Sequence, residues 1–135
     1  MGLSGTDYEL IQRAKQTAQR LHVRDLHEVA ASLRTTSGTV FSGIHIEASV
    51  GFADVCGEVA AICNMVSAGE REIDTIVAIH FDGDGTYTLL SPCGRCRELI
   101  SDFSMDAKVI VGSLEQPELL SISDLLPRKT NHGAA

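Results

Sequence analysis

Tryptophan is absent, and four Phe and two Tyr are all that make the chain 4% aromatic. A core built without large rings must come from Ala, Val, Ile and Leu, which supply most of the 44% hydrophobic share. That is the composition of helices packed on a sheet, and it favours an α/β fold over a sandwich. Positive charge is also scarce: 11 Lys and Arg against 18 Asp and Glu leave a formal net charge of -7. No basic stripe is available to follow a phosphate backbone, so nucleic acid is not expected as a partner and a small molecule fits better. Long apolar runs are missing too. No stretch reaches the about 18 residues of a membrane span, and Met1 to Asp7 carries neither the basic nor the apolar region of a secretory signal. A cytoplasmic protein with no membrane contact is the expectation. The length, 135 residues, suits a single domain, and a domain of that size buries roughly two thirds of its unfolded surface.

What the chain does contain is a run of alternating helix and strand patterns. Leu10, Ile11, Ala14, Ala18 and Leu21 recur at helical spacing behind a cap at Thr6 or Asp7. Val29, Ala31 and Leu33 alternate, Thr35 to Gly38 supplies turn residues, and Val40, Ile44 and Ile46 form a second extended run, which together read as a hairpin. Val55, Val59, Ile62, Cys63 and Val66 repeat as a mostly buried helix that closes at Ser67 to Gly69. The β-branched run Ile73 to Phe81 reads as a central strand. Asp82 to Gly85 is turn chemistry; it resembles part of a calcium loop but lacks the frame and closing Glu of an EF-hand. Tyr87 to Leu90 is a short extended piece, and a helix is predicted from about Cys93 to Phe103 behind Pro92. Lys108 to Gly112 reads as another buried strand, and Ile122 to Leu126 as a last helical turn. One three-layer domain over 1–127 accounts for this order, with a loose polar tail over 128–135.

The four cysteines lie in a chain expected to stay in a reducing compartment, where thiols are metal ligands or buried side chains more often than disulfides. Pro92-Cys93-Gly94-Arg95-Cys96 puts two thiols three residues apart at a helix start, where both can face one metal. Cys56-Gly57-Glu58 lies at another predicted helix start, one strand upstream, and two such starts can converge at one edge of a sheet. Three protein ligands leave the fourth position of a zinc ion to water, as in catalytic sites, whereas structural zinc takes four. Residues two apart on a helix point about 200° away from each other. Cys56 must therefore sit at the non-helical cap if Glu58, from the first turn, is to move protons beside the same metal. Three thiolates overcompensate the zinc charge; helix N-termini and Arg95, or else Arg97, are the groups that can offset them. Cys63, seven residues past Cys56 on an apolar helical face, reads as a buried core thiol. Were it a fourth ligand, the site would be structural and the protein a four-cysteine zinc module serving interaction. His80 near a strand end reads as core or edge.

A Cys or His, one residue, Glu, and then Pro-Cys-x-x-Cys is the signature of the zinc deaminases that act on cytosine or adenine. The chain resembles the small three-cysteine members of the cytidine deaminase superfamily from the hairpin at Val29 to Leu125-Leu126-Pro127, and blasticidin S deaminase in Ser91-Pro92-Cys93-Gly94-Arg95-Cys96-Arg97. The resemblance implies an α/β/α fold on a mixed five-stranded sheet, one zinc per subunit on Cys56, Cys93 and Cys96, Glu58 as proton shuttle, and a homotetramer with active sites near subunit contacts. It implies hydrolysis of the exocyclic amine of a cytosine nucleoside, as in pyrimidine salvage, with a blasticidin S-type or other modified nucleoside as the alternative substrate. Gly57 stands where the family has Ala, used mainly through its backbone, so the exchange is expected to be tolerated. Val59 replaces an Arg that balances the thiolates in many relatives, which moves that task to Arg95. His45-Ile46-Glu47 stands at the family's ribose-binding Asn-x-Glu, keeping the acid and losing the amide, and His27 stands where relatives carry a pocket Phe. Glu47 reads as a sugar ligand or a solvated loop carboxylate, and the two histidines as pocket residues or hydrogen-bonded surface groups.

Overall fold

The computed structural model describes residues 2–130. Helix α1, Gly5–Leu21, starts one to two residues before the position expected from its apolar pattern, because the cap is Ser4. The Ser4 hydroxyl accepts from the Asp7 N–H while the Asp7 carboxylate accepts from the Ser4 N–H, a capping box with Asp in the place of the usual Glu. Strands β1, Val29–Thr35, and β2, Val40–Ile44, form the expected hairpin. A single 3-10 turn at Gly51–Ala53 precedes helix α2, Gly57–Ser67. Val55, read as helical, instead bridges to Ile46. Then follow β3, Ile73–Phe81, β4, Tyr87–Leu90, α3, Gly94–Phe103, β5, Lys108–Gly112, β6, Pro117–Ser121, and the short α4, Ile122–Leu125.

The sheet is mixed and has six strands, where five were expected. Five of them run in the order β2-β1-β3-β5-β6, and β4 pairs with β3 beside this path. Strand β3 divides one edge between two neighbours: its C-terminal half, Ala78 to Phe81, pairs antiparallel with β4, and Thr75 and Ile76 pair parallel with β5. The side-chain period of two sorts the core onto both faces. Ile76, Ala78, Val109 and Val111 pack with Ile62, Met65 and Ile100 of α2 and α3, whereas Val77, Ile79 and Ile110 pack under Leu10, Ile11 and Ala14 of α1. Both helices that begin with a cysteine thus lie on the same side of the sheet.

Of the tail expected to be loose, residues 131–135 lie outside the described residues, and Lys129 is held. Its ammonium donates to the Glu98 carbonyl at 3.0 Å and the Ser101 hydroxyl at 2.7 Å and pairs with Asp102, closing the chain against α3.

Candidate active site

Cys56 and Cys93 are the N-caps of α2 and α3, both with extended backbone, so each thiol lies just outside the positive end of a helix. Cys96 follows in the first turn of α3 and is fully buried. The Sγ atoms of Cys56 and Cys93 are 3.6 Å apart, as are those of Cys93 and Cys96, and all three lie within 4.8 Å of one another. Sulfurs sharing a tetrahedral zinc at about 2.3 Å stand about 3.8 Å apart, whereas a disulfide needs about 2.0 Å. The spacing therefore fits a shared metal.

The protonation chemistry makes the same demand. Burial, and after it Glu58 and the other two sulfurs, pushes the Cys96 thiol far up, and burial also raises Cys56. Burial opposes ionisation of Cys93 as well, but the Cys96 N–H and the two neighbouring thiols outweigh it and hold Cys93 low. Cys93 is the thiol of the cluster most easily ionised, and three thiolates side by side require a bound cation to offset their charge. Glu58, in the first turn of α2, is 6% exposed and in contact with Cys96, and burial raises its carboxyl. Beside the three sulfurs, a carboxyl raised in this way is placed to take up and release a proton.

A pocket of about 160 Å³ opens onto these groups, walled by Val29, Ala78 and Leu90, with Cys56, Cys93 and Glu58 on one side and His45 on another. Sites for drug-sized ligands occupy roughly 300 to 1,000 Å³, so this one admits a single ring and leaves the rest of a substrate outside. Two larger grooves, about 390 Å³ along α1 and about 490 Å³ between α1 and α2, are not lined by the three clustered sulfurs or Glu58.

Residues 4–113 match the family described as the cytidine and deoxycytidylate deaminase zinc-binding region. The chain belongs to this deaminase family. The deaminase is 37% identical over 131 residues to a blasticidin-S deaminase of Bacillus cereus, covering 94% of each chain. It is 34% identical over 122 residues to a cytidine deaminase of Halalkalibacterium halodurans, covering 87% of this chain and 89% of that one. Among solved structures, cytidine deaminase from Burkholderia pseudomallei superposes with a TM-score of 0.77 at 25% identity, covering 95% of this chain and all of that one. The cofactor of the deaminase is zinc, for which the three-cysteine cluster supplies the ligands.

Other residues singled out in the sequence fall in different places. Cys63 is exposed on α2, not a core thiol, and is outside the metal cluster; with three sulfurs gathered and the fourth turned away, the four-cysteine module is overturned. Arg95 is exposed on the first turn of α3 and makes no hydrogen bond or ion pair with another described residue, so it does not reach a sulfur. Arg97 braces the metal loop instead: its guanidinium donates to the Pro92 carbonyl at 2.8 Å and to the Leu125 carbonyl at 3.0 Å. Gly57 lines the pocket where α2 comes close to β1. A Cβ there would stand 3.0 Å from the Val29 carbonyl oxygen and 3.1 Å from the Ala31 nitrogen, so this helix start lies closer to β1 than an Ala comfortably allows. His45 lines the pocket, whereas His27 and Glu47 are not among its walls and reach it only through hydrogen bonds to His45. Sequence reasoning passed over Val29, Ala78, Leu90 and Ser91, whose only signal was their nearness to strand ends.

Proposed function

We propose that the chain deaminates a cytosine nucleoside, cytidine or deoxycytidine, to the uracil nucleoside and ammonia. The observation that carries this reading is the juxtaposition of three sulfurs at metal-sharing distance with the buried Glu58 carboxyl on one wall of a ring-sized pocket. The cytidine deaminases among the relatives supply the substrate class. Cys56, Cys93 and Cys96 would hold the zinc, which when bound would supply Lewis-acid activation of the attacking water. Glu58 takes a proton from the attacking water and hands it to ring N3 as the oxygen bonds to C4. It then carries the second proton to the exocyclic nitrogen, so that the C4–N bond breaks and ammonia leaves. Val29, Ala78 and Leu90 keep bulk water off the ring, and the Gly57 backbone borders it. The positive ends of α2 and α3 favour the thiolates.

The second reading is a blasticidin S-type substrate, which the 37% identity to such an enzyme favours. Salvage of pyrimidines, a cytoplasmic location and one deaminase domain over 1–127 complete the proposal; among the described residues no helix is long and apolar enough to cross a membrane. A homotetramer is supported by exposed Val23, Leu26, Ile46, Val50 and Phe52, which lie on two segments joined by the Glu47 N–H to Leu26 carbonyl bond beside the pocket. Ammonia release by the zinc-loaded protein from cytidine, deoxycytidine, cytosine and blasticidin S tests the reading. Turnover of the first two supports it; turnover of blasticidin S alone selects the second reading, and turnover of none of the four removes both.

A further inference from the structure

Of the three clustered cysteines, Cys93 has the least regular structure around it. Cys96 is fully buried within the first turn of α3, and Cys56 follows Val55, which exchanges two main-chain hydrogen bonds of 2.9 Å with Ile46. Cys93 is exposed, lies outside the helix it caps, and comes after β4 has ended, behind a proline that has no N–H to donate. One residue holds it from both sides. The Arg97 main-chain N–H donates to the Cys93 carbonyl at 2.9 Å, and the Arg97 Nε–H donates to the Pro92 carbonyl at 2.8 Å. These carbonyls belong to the peptide planes on either side of the Cys93 Cα, so fixing both fixes the backbone dihedrals of Cys93 and with them the direction of its thiol. The guanidinium itself has a firm base. Its Nη1 donates at 3.0 Å to the carbonyl of Leu125, the last residue of α4, where a helix leaves carbonyls without partners of their own. Helix α4 is anchored in turn by the fully buried Ile122, whose N–H donates to the Ala107 carbonyl at 2.9 Å.

We propose that Arg97 is a positioning residue for the metal: it ties the peptide that enters Cys93 to the end of α4, and so sets how tightly the three sulfurs hold zinc. The inference concerns the metal and does not depend on which nucleoside is deaminated. Ligands that must be ordered as the ion arrives bind it less tightly than ligands already in place. Cys93 is 3.6 Å from each of the other two sulfurs, so releasing it loosens the site as a whole. A guanidinium suits the task because Nε and Nη1 donate in fixed relation to two carbonyls far apart in the chain, whereas an ammonium is a point charge without that fork. Arg97→Lys therefore keeps the charge and loses the paired bonds. Lys129 supplies a contrast. It fastens the C-terminal segment to α3 through Glu98, Ser101 and Asp102, with no bond to Pro92 or Cys93.

Competition for zinc between the full-length protein and a chromophoric chelator reads the affinity directly. Arg97→Gln and Arg97→Lys are each expected to raise the zinc Kd about 10- to 100-fold, the range found when a group that orients a metal ligand is removed. Lys129→Met is expected to lower the urea midpoint while leaving the zinc Kd within about twofold, since it loosens the C-terminal segment without freeing Cys93. Circular dichroism of the zinc-free proteins checks that each variant folds, and Arg97→Lys, the milder change, decides the matter where Arg97→Gln does not. A wild-type zinc Kd in Arg97→Lys overturns the proposal, because charge without the paired bonds would then suffice. A Lys129→Met variant that loses zinc as readily as the Arg97 variants overturns it too, because any loosening of α3 would then have the same effect. No substrate enters the measurement, so its outcome is independent of the ammonia-release assay that tests the proposed function.

Discussion

Cys56 and Glu58 are two residues apart and face one site because the first is outside α2 and the second is inside it. The cap frees the thiol from the helical repeat and directs it to the metal, while the first turn directs the carboxyl to the same pocket. Glu58→Gln keeps the size and the burial but cannot take a proton. Its expected effect is a fall in kcat of about 10² to 10⁴ with zinc content and thermal midpoint unchanged, read by ammonia release and metal analysis. Retained turnover would remove Glu58 from the chemistry. Cys93→Ser is expected to cost the metal, because Cys93 is within 3.6 Å of both other sulfurs and is the thiol held low. An unchanged zinc content would refute its assignment as a ligand. These residues were legible in the sequence because their chemistry is set by local spacing at helix starts. Cys63 and Arg95 were not: the first turns on which face of α2 meets the core, and the second on which way a long side chain leaves α3. Neither is a property of spacing.

Helix α2 lies against β1 and β2 more closely than side chains normally permit, and two glycines account for it. A Cβ on Gly43 of β2 would stand 2.3 Å from the Ala61 backbone nitrogen, and one on Gly57 3.0 Å from the Val29 carbonyl oxygen. Under 3 Å against backbone, the helix itself has to move. Gly43→Ala is expected to destabilise by about 1–3 kcal/mol or more, and, because α2 carries Cys56 and Glu58, to lower kcat as well. Urea unfolding and turnover of the same sample check both halves; a stable, fully active variant would show that α2 can retreat without moving the site. Neither close approach is visible before the elements are assembled. The central strands were legible from their unbroken β-branched runs, since both of their faces are covered. Strand β6 was not: it opens on Pro117, its side chains are at most partly buried, and it lies at the sheet edge, where Pro is tolerated and apolar alternation is weak.

Across the whole molecule, the zinc cluster joins two helices that a continuous core already holds in place, since α2 and α3 share Ile62, Met65 and Ile100 with the sheet. Chelation is therefore expected to lower the thermal midpoint, by the equivalent of about 2.7 kcal/mol when zinc had been present at a hundred times its Kd, and to leave a cooperative unfolding transition. Loss of all cooperative structure would point to metal-dependent folding of the kind seen in small zinc modules. On the opposite face α1 is tied to the sheet by charge. Arg34 of β1 donates to Asp7 at 2.9 Å and to Asp74 at 2.8 Å. Burial at 4% exposure would raise the Asp7 carboxyl, but the Ser4 N–H, the Arg34 guanidinium and the Ser4 hydroxyl outweigh it and hold the group below its ordinary 3.8. A carboxyl whose folded pKa is depressed contributes stability that is fully present above its unfolded pKa and is lost as the pH falls through the folded value. Asp7→Asn, which also leaves Arg34 with Asp74 as its remaining partner, is expected to cost about 2–3 kcal/mol at pH 7. Urea unfolding at a series of pH values should find that gap constant between about pH 7 and 5 and narrowing below about pH 4, where the Asp7 carboxyl of the unfolded chain begins to protonate before that of the folded one. A gap that persists undiminished into the acid range would mean that α1 is held by packing alone and that the Asp7 charge contributes nothing to it.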